Sequence, residues 1–218
     1  PLAYNRAALY SGKALDFDGV NDYVDGGTLD ITGYTQMSVS FYMNVDATTQ
    51  DFRLISIRYS GVDDIRIFHS ASVGAGVLNF SLDDGDADNI GVNFETNEWY
   101  HVVMTHDGTT LKAYLNGIEQ ASTASTFDYA NADGLFYVGR YTGGSVPYYD
   151  GQMAGFKIFN TALTPAQIAD LYNFPEKIVP TGVDNTALKL WLPMMEGAGT
   201  TAYNGAPDAL GAEVVTNG

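Results

Sequence analysis

The strongest pattern along the chain has a period of two. In Met37-Ser-Val-Ser-Phe-Tyr-Met43, apolar side chains alternate with small polar ones, as on a half-buried strand. Similar runs recur at 53–59, 64–69, 77–82, 90–94, 100–106, 111–115, 135–141 and 153–159. Turn pairs separate them: Asp18-Gly19, Ser60-Gly61, Asp84-Gly85, Asp107-Gly108, Asn116-Gly117, Asp133-Gly134 and Asp150-Gly151. Short strands roughly 8–15 residues apart predict an all-β chain, an antiparallel two-sheet sandwich of the jelly-roll kind. One short helix is predicted near the C-terminal side. Thr164 offers an N-cap, Pro165 suits the first helical position, and 166–172 carries apolar residues at helical spacing.

After Phe174 the pattern lapses. Residues 175–187 open with two prolines and a glycine in Pro175-Glu-Lys-Ile-Val-Pro180-Thr-Gly182 and read as a linker. Leu188-Lys-Leu-Trp-Leu192 is one more strand, and 198–211 is rich in Gly, Ala, Thr and Asn. The expected division is therefore 1–174 as the main domain and 175–187 as linker. Residues 188–218 form an extra strand that either starts a further module or completes the first sheet. The chain opens at Pro1 without Met, which reads as a cut from something longer.

Composition narrows the function classes. Ten Lys and Arg stand against 26 Asp and Glu, a net charge of −16. Nucleic acid is excluded as a partner on that balance, because phosphate binding needs a cationic surface. No apolar run approaches a spanning helix, so membrane insertion is not expected. An acidic surface suits an extracellular protein or one that holds cations. With no Cys in the chain, disulfides, thiolate zinc sites and cysteine nucleophiles are ruled out.

Several stretches together resemble a known family. Ala14-Leu-Asp-Phe-Asp-Gly-Val-Asn-Asp-Tyr-Val24 is similar to the first conserved stretch of laminin-G-like, concanavalin A-type jelly rolls, the group that includes pentraxin-like lectin domains. Glu98-Trp-Tyr-His-Val-Val-Met-Thr-His-Asp-Gly108 with Leu111-Lys-Ala-Tyr-Leu-Asn-Gly117 resembles the central hairpin. Tyr149-Asp-Gly-Gln-Met-Ala-Gly-Phe-Lys-Ile-Phe-Asn-Thr-Ala-Leu163 and the helix ending Asp170-Leu-Tyr172 resemble the closing strand and C-terminal helix. The likeness covers about residues 10–174 in the family's order. Family members usually open with a further strand upstream of Phe-Asp-Gly. Leu188-Lys-Leu-Trp-Leu-Pro-Met-Met-Glu-Gly-Ala-Gly199 resembles that strand, placed after the domain. Either it opens a second module, or it folds back and completes the first sheet. Ala212-Glu-Val-Val-Thr-Asn-Gly218 resembles the opening of a galactose-binding type module, and arrays of this kind resemble phage tail fibres and secreted adhesins.

The resemblance also implies a Ca²⁺ beside the Phe-Asp-Gly stretch, held by Asp18, Asn21 and Asp22 with Asp150. Oxygen donors at short spacing are what Ca²⁺ needs. Where many relatives carry Ile-Asp in the closing strand, this chain has Met153-Ala154, which removes one ligand or orienting acid. The competing reading is that these Asx residues cap a tight turn. Asp83-Asp-Gly-Asp-Ala-Asp-Asn89 spaces acids as an EF-hand loop does, yet its flanks read as strands, so an acidic hairpin turn is preferred. His69, His101 and His106 read as structural rather than metal-binding.

Enzymes on this sandwich typically carry Glu-x-Asp-x-x-Glu along one strand, and no strand here has it, nor is there a Gly-x-Ser-x-Gly elbow. A non-enzyme is expected. Candidate ligand contacts are Tyr141, Tyr148 and Tyr149, which bracket Gly143-Gly144-Ser145, with Tyr59 on a neighbouring loop. The functional expectation is a non-catalytic module on an extracellular or virion surface, serving assembly, adhesion or host recognition. Its partners would be other virion or surface-protein subunits or further copies of itself. The alternative is a Ca²⁺-dependent, glycan-binding lectin domain, and after it an accessory domain of a glycoside hydrolase.

Overall fold

The computed structural model describes residues 14–59, 64–72, 74, 76–83, 88–130, 133–141, 147–194, 201–206 and 213–217. Its strands are β1 (Leu15–Asp18), β2 (Tyr23–Asp30), β3 (Met37–Val45), β4 (Phe52–Tyr59) and β5 (Asp64–His69). Next come β6 (Val77–Asp83), β7 (Asp88–Asn93), β8 (Trp99–His106), β9 (Thr110–Leu115) and β10 (Ile118–Ala124). The last are β11 (Asp133–Val138), β12 (Asp150–Phe159), β13 (Leu188–Leu192), β14 (Thr201–Tyr203) and β15 (Glu213–Asn217), with helix α1 (Pro165–Asn173) between β12 and β13.

They form two antiparallel sheets. The first runs β1-β12-β3-β8-β9-β10, with β13 also paired to β12, and the second runs β14-β15-β2-β11-β4-β5-β6-β7. Among the described residues, the expected two-sheet sandwich with a single short α-helix is what is found. Alternation decides which side chains face inward. Val39, Phe41 and Met43 of β3 meet Ile55, Ile57, Ile65, Ile67 and Phe80 of the second sheet in one apolar core. At about 25 cal/mol per Å² of apolar surface, that burial is the main force holding the sheets together.

The two outer faces are treated differently. On the first sheet, α1 seats Ile168 and Leu171 against Val103, Tyr114, Phe159 and Leu188. The helix begins as expected: the Thr164 side chain accepts from the Gln167 amide, and Gln167 reaches back to the Thr164 amide. Tyr42 donates from its hydroxyl to the Leu171 carbonyl at 3.0 Å. Because α1 covers it, β3 is buried on both faces, Ser38, Ser40 and Tyr42 included.

The stretch 175–187 contains turns and a 3-10 turn at Asn185–Ala187, and it is tied to the body. Lys157 of β12 donates to the Lys177 carbonyl at 2.8 Å, and Lys177 pairs with Asp170 of α1. Val179 and Val183 pack beside the α1 cluster. Beyond it, β13 lies antiparallel to β12 with Phe156 opposite Leu192, and β15 lies antiparallel to β2 with Val215 opposite Asp25. Among the described residues, no helix lies over the outer face of the second sheet.

Candidate ligand-binding face

On the uncovered outer face of the second sheet, antiparallel register lines up one row across six strands. Asp25 of β2 stands opposite Tyr137 of β11, and Tyr137 opposite Ser56 of β4. Ser56 then stands opposite Arg66 of β5, Arg66 opposite Ser81 of β6, and Ser81 opposite Asn89 of β7. Arg53, Phe68, Asn79 and Gly91 form a second row beside it. Their neighbours along each strand, Ile55, Ile57, Ile65, Ile67, Leu78, Phe80 and Val92, point the other way into the core.

Aromatic rings and guanidinium groups interleave on this face. Arg140 lies over the rings of Tyr23, at 4.6 Å, and Tyr137, at 5.2 Å. Tyr23 in turn meets Tyr137 edge-on at 5.8 Å and Tyr148 at 6.0 Å. In the second group, Arg53 sits 4.5 Å from the Phe68 ring and 5.2 Å from the Tyr141 ring. Arg58 approaches Tyr141 at 5.8 Å, and Arg66 approaches Phe68 at 5.4 Å. Such pairs hold flat rings and charged groups in fixed relative positions. Beneath them, Ser56 is 0% exposed. Among the described residues, neither its hydroxyl nor the side-chain NH₂ of buried Asn79 has a hydrogen-bond partner. Burial and the Asp25 carboxylate push the Tyr137 phenol up, and Arg140 works against both.

Of the four tyrosines expected at the ligand, Tyr141 and Tyr148 belong to this face. The Tyr59 side chain and loop 142–146 lie outside the described residues. Tyr149 is a correction: it is 0% exposed. Its ring packs against Phe17 at 5.4 Å and Phe52 at 5.5 Å, and its hydroxyl donates to the carbonyls of Asn44 at 2.6 Å and Gln152 at 3.0 Å. That arrangement welds the two sheets and offers nothing to a ligand. Arg53, Arg58, Arg66, Arg140, Tyr23, Tyr137 and Phe68 were not expected. The signal for two of them was present, since Arg66 and Phe68 alternate with Ile65 and Ile67.

The acids expected at a metal are drawn toward one loop. β1 runs antiparallel to the start of β12, so Asp18 stands opposite Asp150. One Asp18 carboxylate oxygen accepts from the amides of Val20, at 2.8 Å, and Asn21, at 3.2 Å, which lowers its pKa. Asp22 accepts from the Asp18 amide at 2.9 Å. Asp150 is pushed up by partial burial and by the nearby acids Asp46, Asp16 and Asp18. Among the described residues, no three of His, Cys, Asp and Glu converge as a metal-ion shell. The acidic turn at 84–87 lies outside the described residues; the strands it joins form a hairpin.

The three histidines are buried and separate. His101 shares a 2.9 Å hydrogen bond with Ser40, His106 one of 2.8 Å with Tyr129, and His69 lies 2.8 Å from the Val77 carbonyl. Burial and the neighbouring Lys157 charge pull His101 down to about 3.

This uncovered sheet, opposite one sealed by a helix, defines a jelly-roll sandwich of the lectin type. The chain belongs to the concanavalin A-like lectin/glucanases superfamily, whose laminin-G-type family model matches residues 18–169. No curated protein sequence matches it. Among solved structures, it is similar to a candidate carbohydrate-binding protein from Bacteroides ovatus, with TM-score 0.63 and 19% identity over 93% of this chain. It spans 59% of that longer protein. Domain 4 of AbnA, an extracellular GH43 arabinanase of Geobacillus stearothermophilus solved with arabinotriose, gives 0.61 and 23% over 75% of this chain and 78% of that one. The heptameric SAP-like pentraxin of Limulus polyphemus gives 0.59 and 15%, covering 93% of each chain. These likenesses concern the fold. Among the described residues, no helix is long and apolar enough to cross a membrane.

Proposed function

We propose that this chain is a non-catalytic, surface-exposed module that binds glycans on the outer face of its second sheet. The observation that carries the reading is the aromatic group on that face, Tyr23, Tyr137 and Tyr148 at 5.8–6.0 Å centroid spacing, beside the half-buried guanidinium of Arg140. Sugars present apolar ring faces and hydroxyl rims, and such a surface matches both. A candidate carbohydrate-binding protein and an arabinotriose complex among the structural neighbours support the same reading. The absence of a Glu-x-Asp-x-x-Glu run from the sequence supports a binding role over hydrolysis. Titration calorimetry against a panel of oligosaccharides tests it. Tyr137→Ala should weaken any binder by about tenfold, the worth of about 1.4 kcal/mol, with the fold intact. A panel that yields no binder ends the proposal.

Calcium is a second proposal, at Asp18, Asn21, Asp22 and Asp150. Burial raises the Asp150 pKa first and repulsion from Asp46, Asp16 and Asp18 adds to it, and a cation there would relieve that second part. Thermal unfolding in EDTA and then in excess Ca²⁺ tests it. Saturation at about 100 times the dissociation constant adds about 2.7 kcal/mol. A rise in midpoint that Asp22→Ala abolishes supports the site, and an unchanged midpoint makes these acids turn caps. A place in a virion or surface assembly, or in a homo-oligomer, is compatible with either reading and is read from the solution mass.

A further inference from the structure

The positive charges of this acidic chain are sorted by sheet. Its five arginines are Arg6, Arg53, Arg58, Arg66 and Arg140, and the four that are described all lie on or beside the outer face of the second sheet. The described lysines lie elsewhere: Lys112, Lys157 and Lys189 on strands of the first sheet, and Lys177 beyond α1. Among the described residues, two of the four guanidiniums enter no ion pair. Arg66 is paired with Asp83 at 3.1 Å. Arg58 and Arg140 touch aromatic rings but, among the described residues, enter no ion pair.

A net charge of −16 disfavours anions at long range, but beyond about 8 Å the field is screened at physiological ionic strength. At contact distance the local charges decide, and beside Tyr137 the Arg140 guanidinium works against the Asp25 carboxylate. Arginine presents a planar fork that matches a carboxylate or sulfate with two parallel hydrogen bonds, and stacking on Tyr23, Tyr137 and Tyr141 fixes where that fork points. A neutral sugar offers a guanidinium only single hydroxyl acceptors, whereas a carboxylate or sulfate accepts from both prongs of the fork and balances its charge.

Resting on the glycan-binding reading, we propose that the ligand is an acidic saccharide. Arg58 and Arg140 sit in separate aromatic groups, and each offers its fork to an anionic group of the ligand, while the tyrosines beside it carry a sugar ring. The anionic group is a carboxylate, as in uronic or sialic acids, or a sulfate ester; both meet the fork in the same way.

Calorimetry on the 218-residue chain tests this with trigalacturonate and sialyllactose as carboxylated probes, a sulfated disaccharide, and lactose as the neutral control. At least one acidic probe should bind about tenfold or more tighter than lactose, with affinity falling as NaCl is added. Arg58→Gln and Arg140→Gln should each remove about tenfold, the scale of one charge-assisted pair, without moving the unfolding midpoint. Which acidic probe binds separates carboxylate from sulfate. If neutral and acidic saccharides bind equally and the glutamine variants change nothing, the inference falls and the glycan-binding reading survives. If no saccharide binds, both fall. Should either variant fail to fold, the salt dependence and probe preference of the unaltered chain decide.

Discussion

His101 shows how a single side chain ties solution conditions to this architecture. It is buried on the outer face of the first sheet between Tyr42, at 4.8 Å, and Tyr172, at 6.2 Å, and it hydrogen-bonds Ser40. Its pKa falls from the ordinary 6.5 to about 3 through burial first and the Lys157 charge second. The folded state thus keeps the ring neutral while the unfolded chain takes up a proton below 6.5. The stability this contributes is full above pH 6.5 and drains away as pH falls from 6.5 toward 3. His106, also lowered by burial, adds in the same direction. Urea unfolding across that window should show a steep acid loss that is shallower in His101→Gln. Identical slopes in the two proteins would show that the ring titrates normally.

Among the elements, legibility followed burial. β3, β8, β9 and β12 each put a regular apolar face into a core, and their alternation can be read directly in the residues. β10, Ile118-Glu-Gln-Ala-Ser-Thr-Ala124, is an edge strand exposed along most of its length, so no apolar period marks it. α1 was legible because capping is local: Thr164, Pro165 and Gln167 lie within four consecutive positions. The candidate face was not. Asp25, Tyr137, Ser56 and Arg66 become neighbours only through strand register, and Arg53 and Arg58, five positions apart, would alternate to opposite faces but for the register shift between Arg53 and Ile55. Tyr149 was misplaced for a related reason. A loop has no period, so nothing in Tyr148-Tyr149 says which ring turns inward toward Phe17 and Phe52.

For the molecule as a whole, the segment after 187 contributes to both sheets. Leu188, Leu190 and Leu192 of β13 are buried, as is Met194 just beyond it. β15 pairs with β2, on which Tyr23 of the candidate face sits. A chain ending at Ala187 would uncover those leucines' partners on β12 and α1. Each large apolar side chain lost from a core is worth about 2–5 kcal/mol. Such a chain should be insoluble or lose most of its unfolding free energy, measurable against the full chain in urea. Equal stability of the two would mark 188–218 as an independent attachment.

Sorting arginines to one side of an acidic body also gives the molecule a direction. Approaching a surface coated with negative charge, most of its own exterior is pushed away and a single side is drawn in. Because the field is screened beyond about 8 Å, this turning belongs to the last step of the approach. One sheet's charge would then govern the posture of the molecule at such a surface as well as its grip.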